Sequence, residues 1–160
     1  MPTIIDILNN NAGELCNKPV LQNNQQSFSY SFVLDSSDKF AQGLRNLNLK
    51  RGDNIVLLLP IIPELFTAYY GILKSCCRVI PLNYNLKTAD LKHVIENSNA
   101  HGIIFWDRFE KKIISILDQL DINPTLIQVS KNAHSNYHDF SEVVNSSESI
   151  DVDQYPQEED

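Results

Sequence analysis

The chain has 160 residues, of which 42% are apolar, and a formal net charge of −7 from 13 basic and 20 acidic side chains. This length suits one compact domain, and the composition is typical of a globular protein rather than a disordered or fibrous one. Because no basic surplus is available to neutralise phosphates, we expect no nucleic-acid partner. The first residues lack the basic start and long apolar run of a targeting signal, and no apolar run reaches membrane length. We therefore expect a cytoplasmic protein without a transmembrane segment.

The charges are unevenly distributed along the chain. All Lys and Arg residues lie at or before Lys131, and eight of the 20 acidic residues follow residue 138, so 12 acids and 13 bases remain before it. We therefore divide the chain into a domain, residues 1–138, and an acidic linker-like tail, residues 139–160. The scarcity of large apolar residues predicts that this tail is mobile or loosely attached. A tail that binds a partner is the alternative.

The cysteines and histidines indicate neither a disulfide framework nor a metal centre. Cys16, Cys76 and Cys77 are too few and too irregularly spaced for a set of disulfides, so we expect reduced structural thiols. His134 and His138 have a spacing that two metal ligands can share on a helix, but no acid or cysteine cluster accompanies them. We interpret them as surface histidines and expect no metal site.

Secondary structure follows from the apolar periodicity, taken in chain order. A hairpin is predicted over residues 19–22 and 28–30, followed by a helix over 31–47. Short, continuously apolar segments then alternate with amphipathic ones, which indicates parallel strands covered by helices on both faces. The predicted strands cover residues 55–59, 79–82, 102–106 and 125–129, and the predicted helices cover 63–75, 88–97 and 108–120. We place Pro63 in the first helical turn and Thr88 at an N-cap. The predicted fold class is α/β, a doubly wound, mainly parallel sheet flanked by helices, with a small N-terminal hairpin and helix.

Open parallel sheets bind ligands at the carboxyl ends of their strands, so the loops there are the first candidates for a site. The loop from Pro60 to Pro63 is unsuited to a phosphate, which needs glycine turns and free backbone N–H groups. Asn83, Tyr84 and Asn85 follow the second strand and include no nucleophile. The five glycines are scattered, and no glycine-rich phosphate motif occurs. We assign no catalytic, cofactor-binding or metal-binding residue.

Several chemically versatile side chains have simpler structural interpretations. We expect Cys76 and Cys77 to be structural and Tyr69, Tyr70 and Trp106 to serve packing rather than a ligand platform. Lys74, at the end of a predicted helix, is interpreted as a solvated charge that complements the helix dipole.

Several motifs in one order resemble the N-terminal part of the adenylate-forming (AMP-dependent) synthetase and ligase family. The similarity covers residues 30–105 and rests on Ser29-Tyr30, Leu44-Arg45-Asn46-Leu47, Arg51-Gly52-Asp53, Leu59-Pro60-Ile61-Ile62-Pro63-Glu64, Ala68 to Lys74, Val79 to Asn83, Leu91 to Ala100 and Gly102 to Phe105. Ile61 replaces the family's usual polar residue, and Ser75-Cys76-Cys77 stands where the family prefers Ala-Gly-Ala. Asn83 after Pro81-Leu82 is more similar to acyl-CoA ligases than to peptide-synthetase adenylation domains.

The resemblance implies a two-step ligase that activates a carboxylate, here a fatty acid, with ATP and Mg²⁺ as acyl-AMP and then transfers it to coenzyme A. In the family the phosphate loop, the adenine pocket and the lysine of the mobile C-terminal domain all follow the matched segment. We therefore carry over no catalytic residue and expect this chain to be inactive alone, with the remainder of its own polypeptide as partner. The alternatives are a free-standing, non-catalytic binding module on the same scaffold and the front of a peptide-synthetase adenylation domain.

Overall fold

The computed structural model describes residues 3–22, 26–130 and 137–146. The described helices are α1 (Ile4–Glu14), α2 (Tyr30–Asn46), α3 (Pro63–Lys74), α4 (Thr88–Asn97), α5 (Glu110–Leu117) and α6 (Phe140–Asn145). The described strands are β1 (Pro19–Gln22), β2 (Ser27–Ser29), β3 (Asn54–Leu58), β4 (Arg78–Pro81), β5 (Gly102–Trp106), β6 (Thr125–Val129) and β7 (His138–Asp139). A short 3₁₀ turn, Asp107–Phe109, leads into α5.

The strands form two sheets. β1 and β2 pair as an antiparallel hairpin, and the other five form a sheet in the order β4-β3-β5-β6-β7. Every neighbouring pair in the larger sheet is parallel. The predicted α/β fold class, with a parallel sheet and an N-terminal hairpin and helix, is confirmed.

Alternating residues of the central strand divide the core into two layers. Ile55 and Leu57 of β3 pack with α2, α3 and α6 on one face of the sheet, whereas Val56 and Leu58 pack with α4 and α5 on the other. Because both faces are covered, the strand is buried at successive positions, which explains its continuous apolar sequence. α1 packs on the outside of α2 and α3 through Ile5.

α2 and α3 pack closely, and a buried ion pair joins them. A Cβ added to Gly71 would lie 2.8 Å from Cδ1 of Phe40, so glycine is required at this approach. Lys74 is fully buried, and its Nζ donates to Asp38 Oδ1 at 2.7 Å and to Ser37 Oγ at 2.8 Å. The expectation that Lys74 is solvated is therefore wrong, because the close approach of the helices encloses the last turn of α3.

The start of α4 also differs from the prediction. Thr88 is the first helical residue and Lys87 the N-cap, with no side-chain cap hydrogen bond. Pro63 does occupy the first turn of α3, as predicted, and Glu64 follows it.

The described structure extends beyond the predicted domain boundary at residue 138. Asp139 pairs with Gln128 in the sheet and caps α6, where its Oδ1 accepts from the backbone N–H of Glu142 at 3.1 Å. Phe140 and Val143 are buried against α2 and the sheet. Residues 139–146, which we expected to be loosely attached, are therefore packed into the domain. The rest of the predicted tail lies outside the described residues.

Candidate functional site

The carboxyl ends of the five parallel strands define one edge of the sheet, here called the carboxyl edge. β3 continues into α3 on one face, whereas its neighbour β5 continues into α5 on the other. The connections thus leave in opposite directions between β3 and β5. Such a reversal opens the crevice in which open α/β sheets bind ligands, so the carboxyl edge is the candidate site.

The loop from β3 to α3 borders this crevice and has the wrong chemistry for a phosphate cradle. Pro60 and Pro63 have no backbone N–H, and the N–H of Ile62 donates to the carbonyl of Pro60 at 2.9 Å. The side chain of Ile61 is 84% exposed. The loop therefore presents an aliphatic side chain rather than backbone donors.

Three aromatic side chains lie together across the carboxyl edge, and we call Tyr84, Trp106 and Phe109 the aromatic ledge. The rings of Tyr84 and Phe109 are stacked at 6.1 Å and 25°, and Trp106 meets Phe109 edge-on at 6.1 Å. The guanidinium carbon of Arg108 lies 4.4 Å from the centroid of the Trp106 ring. A planar cation on an aromatic surface is suited to anionic and planar ligand groups.

Hydrogen bonds fix the segments on either side of the ledge. Asn83 Oδ1 accepts from the backbone N–H of Asn85 at 2.9 Å, which closes the turn that holds Tyr84. Lys112 Nζ donates to the carbonyl of Leu86 and ties the same turn to α5. These bonds restrain the turn that positions the ring of Tyr84.

A second polar group lies at the start of α5. The carboxylate of Glu110 accepts from Gln128 Nε2 and from the hydroxyl of Tyr137, each at 3.3 Å. Burial raises the pKa of Tyr137, and the nearby Glu110 raises it further. Since both carboxylate oxygens have partners, we interpret Glu110 as a structural anchor for β6 and the segment before β7.

The two adjacent cysteines lie away from the carboxyl edge, at the end of α3. Cys77 is buried, and burial raises the pKa of its thiol, which disfavours the reactive thiolate. Its Sγ lies 3.2 Å from the carbonyl oxygen of Lys50, to which it donates. All three cysteines are free thiols.

Of the remaining side chains singled out by the sequence, the tyrosines of α3 and His138 lie apart from the ledge, and Trp106 also packs against the core. Tyr69 and Tyr70 meet edge-on at 5.9 Å, and burial raises the pKa of Tyr70. Trp106 is half-buried and packs against the core. His138 is exposed in β7, and His134 lies outside the described residues. In the described ranges, no three His, Cys, Asp or Glu side chains converge as a metal site would require.

The sequence did not predict that the three side chains of the aromatic ledge contact one another. Tyr84 and Phe109 are 25 positions apart, and no short-range pattern relates them. The only signal was their common placement after parallel strands, at the end of β4 and of β5. That signal predicts a shared edge of the sheet but not the stacking of particular rings.

Comparison with known proteins identifies the family. The profile of the family described as AMP-binding enzyme matches residues 8–160. An uncharacterized acyl-CoA ligase of Bacillus subtilis is 33% identical over 85 residues, which are 53% of this chain and 16% of that protein. A long-chain-fatty-acid–CoA ligase of Escherichia coli is 21% identical over 126 residues, which are 78% of this chain and 22% of that protein.

Solved structures show the same fold. An anthranilate CoA ligase in complex with anthranoyl-AMP superposes with a TM-score of 0.88 at 21% identity, over 96% of this chain and 30% of that one. A benzoate CoA ligase of Burkholderia xenovorans gives 0.82 at 18% identity, over 93% of this chain and 29% of that one. The chain thus spans about a sixth to a fifth of the curated relatives and about 30% of these solved chains.

No helix in the described ranges combines the length and apolar character needed to cross a membrane. Three observations point to the same family. They are the parallel sheet, the motifs along β3, α3 and β4, and the family match over nearly the whole length of the chain. The chain belongs to the AMP-binding enzyme family, whose members related to it include acyl-CoA ligases.

Proposed function

We propose that this chain forms the N-terminal part of a cytoplasmic, ATP-dependent acyl-CoA ligase that acts on a fatty acid. The observation that supports this proposal best is the family match over residues 8–160. We infer the reaction class from the names of the relatives, which are acyl-CoA ligases, and the fatty-acid substrate from the name of the E. coli relative. The small share of each relative that the chain spans supports its role as one part of a longer enzyme.

The proposed reaction has two balanced steps. A carboxylate oxygen of the fatty acid bonds to the α-phosphorus of ATP as the bond to pyrophosphate breaks. The thiol sulfur of coenzyme A then bonds to the acyl carbonyl carbon, AMP leaves, and the thiol proton passes to solvent. Enzymes accelerate such steps mainly by positioning the reactants and stabilising phosphate charge.

The described residues provide neither a cluster that could hold Mg²⁺ nor a backbone cradle for the phosphates of ATP. They include no cluster of three metal-ligating side chains, and the loop between β3 and α3 has no phosphate cradle. We therefore assign neither reaction step to these residues. Their proposed contribution is the carboxyl edge, where the aromatic ledge and Arg108 offer a surface to a nucleotide-bearing substrate.

The test compares the 160-residue chain with the longest polypeptide that its own reading frame encodes. Both are given ATP, Mg²⁺, coenzyme A and either fatty acids of increasing length or benzoate, and the release of pyrophosphate and the formation of thioester are measured. We expect no turnover by the 160-residue chain and fatty-acid-dependent turnover by the longer one.

Three outcomes would contradict parts of the proposal. Pyrophosphate release by the 160 residues alone would overturn their inactivity, and a preference for benzoate would overturn the fatty-acid assignment. A reading frame that ends after Asp160 would overturn the ligase proposal and favour the non-catalytic module.

A further inference from the structure

The loop that carries Tyr84 joins β4 to α4 and covers residues 82–87, and we call it the Tyr84 loop. Two hydrogen bonds close it on itself. The N–H of Asn85 donates to Asn83 Oδ1 at 2.9 Å, and the N–H of Leu86 donates to the carbonyl of Asn83 at 3.0 Å. Because both bonds lie inside the loop, they give it a shape but do not fix its position relative to α5.

One hydrogen bond leads from the middle of the Tyr84 loop to another element. It is the bond that Lys112 Nζ, on α5, donates to the carbonyl of Leu86. Within the described ranges, residues 83–86 have no other hydrogen bond to a helix or strand. Lys112 is half-buried, and a carbonyl accepts a stronger hydrogen bond from an ammonium than from a neutral donor. The position of the loop therefore depends on this lysine.

A ring contact joins the same two segments at a second point. Tyr84 lies two residues before Leu86, and Phe109 lies three residues before Lys112, about one helical turn earlier. The rings of Tyr84 and Phe109 are stacked with their centroids 6.1 Å apart. Phe109 also packs against the core layer that includes α4 and α5. The ammonium and the aromatic ring thus hold the loop at two neighbouring points.

The two attachments restrain different motions of the Tyr84 ring. Aromatic pairs are stable over a range of centroid distances and offsets, so stacking alone leaves the ring able to shift over Phe109. A hydrogen bond is directional and fixes the backbone two residues away. In the part of the chain that the structure describes, no hydrogen bond restrains the Tyr84 hydroxyl, and the residue is 39% exposed. The place of the ring is therefore set by the backbone of its loop.

From these contacts we propose that Lys112 is the positioning residue of the aromatic ledge. Its ammonium holds the backbone at Leu86 and thereby keeps the ring of Tyr84 on Phe109. The consequence for the reaction rests on the function proposed above. A nucleotide-bearing substrate that meets a preformed surface orders fewer side chains when it binds, so its affinity is higher. In this role Lys112 does not contact the substrate and acts only through Tyr84.

The first test observes the ring contact in the unliganded 160-residue chain. Nuclear Overhauser effects between the ring protons of Tyr84 and Phe109 are recorded for the wild type and for Lys112→Met, which removes the donor and keeps an unbranched side chain. We expect cross-peaks in the wild type and their loss in this variant. Lys112→Arg, which restores a cationic donor, should retain them.

Lys111→Met is the matched control, because it removes the same charge from an exposed neighbouring position of α5. It should retain the cross-peaks, and thermal melts verify that all variants remain folded. Cross-peaks that persist in Lys112→Met would overturn the proposal. Their loss in Lys111→Met would do so too, because the effect would then belong to the charge of α5 in general.

The second test measures KM and kcat of the longer polypeptide with ATP and with coenzyme A. We expect Lys112→Met to raise the KM for one of them about fivefold with kcat unchanged, and Lys112→Arg to restore it. In a Tyr84→Leu background no ring remains to be positioned, so Lys112→Met should have no further effect. An undiminished effect in that background would show that the lysine binds the substrate itself and would overturn the positioning role.

The two tests distinguish failure of this inference from failure of the ligase proposal. A longer polypeptide without ligase activity would contradict the proposed function, and the ring contact in the unliganded chain then decides the role of Lys112. Ligase activity with KM values that do not respond to Lys112→Met would contradict the inference alone.

Discussion

Three residues without a glycine's freedom adopt left-handed backbone conformations after helices. Asn48, Cys76 and Asn99 have φ values of 63°, 63° and 46° and follow the ends of α2, α3 and α4. After α3, the N–H groups of Cys76 and Cys77 donate to the carbonyls of Leu73 and Ile72 at 3.0 and 3.1 Å. This is the Schellman arrangement, in which glycine is preferred at the position of Cys76. The cysteine at this position is therefore strained.

We predict that Cys76→Gly stabilises the chain. Glycine relieves the crowding of Cβ in the left-handed region, and the gain is reduced by the greater freedom of glycine in the unfolded chain. A net gain of about 0.5–1 kcal/mol would raise Tm by about 2 °C in a thermal melt. Cys76→Ala is the control, because it removes the thiol but keeps Cβ, and an equal gain from it would show that strain is not the cause.

A second prediction at this scale concerns Arg108, whose guanidinium rests on Trp106 at the carboxyl edge. If the longer ligase proposed above is assayed, Arg108→Ala should raise its KM for ATP or for coenzyme A about tenfold, since the substitution removes a cation suited to phosphate. Steady-state kinetics with each substrate varied would measure this. Lys111→Ala, an exposed cation on α5, should leave both KM values unchanged. Unchanged KM values for Arg108→Ala would exclude the ledge from the site.

At the level of elements, the pairing of α2 with α3 depends on the buried ion pair between Asp38 and Lys74. Burial lowers the pKa of Lys74 from its ordinary value of 10.5, while the hydrogen bond and charge of Asp38 oppose that shift. Between the lowered pKa and 10.5 the unfolded chain binds more protons than the folded one. In this pH range, stability contributed by Lys74 therefore rises with pH.

We predict that Asp38→Asn costs about 3 kcal/mol at pH 7, because it leaves a buried ammonium without its counter-charge. Losing Asp38 lowers the pKa of Lys74 further, so the deficit relative to the wild type should shrink as the pH rises toward 10.5. Urea unfolding at pH 7 and pH 9.5 measures this. Asp35→Asn, which breaks an exposed pair with Lys39, should cost under about 0.5 kcal/mol at either pH. A deficit that stayed constant with pH would contradict the assignment.

The sequence predicted most of the strands and helices well, and the residues at which they begin and end less well. β5, β6 and α4 have the predicted bounds, because continuous apolar segments and a helical stripe between polar stops define them. α1 was not predicted, although Thr3 and Asp6 form a reciprocal capping box that marks its start. The burial of Lys74 could not be predicted, because it depends on Asp38, 36 positions away, and on the close contact at Gly71.

The sequence predicted where the candidate site lies, at the carboxyl ends of the strands. It also predicted that the loops there contain no phosphate-binding motif. Parallel strands place their following loops on one edge, so the position of Tyr84 and Arg108 follows from the fold class. Their contacts with Phe109 and Trp106 depend on the register of β4 and β5 across β3, which a single sequence does not specify.

At the scale of the whole described structure, β7 and α6 contribute to the sheet and its core. Phe140 of α6 packs against Phe40 of α2 with ring centroids 4.5 Å apart and the rings tilted by 32°. β7 extends the sheet beyond β6. The composition of residues 139–160 predicted a mobile or loosely attached tail. Composition averages over a segment, so it does not reveal that Phe140 and Val143 within it are buried.

We predict that a chain ending at residue 138 is at least about 3 kcal/mol less stable than the full 160 residues, since it loses the buried side chains of Phe140 and Val143. A chain ending at residue 146 is the control, because it keeps α6 and removes only the 14 residues after it. Urea unfolding of the three chains measures the difference. Equal losses in the two shortened chains would contradict the structural role of α6.

The contact between Phe40 and Phe140 can form only late during synthesis of the chain. The two rings are 100 residues apart in the chain, and translation at about 5–20 residues per second separates their emergence by about 5–20 s. During that interval the face of α2 that receives α6 is open to other chains on the same messenger. A nascent chain is therefore expected to expose this apolar face of α2 until α6 has left the ribosome.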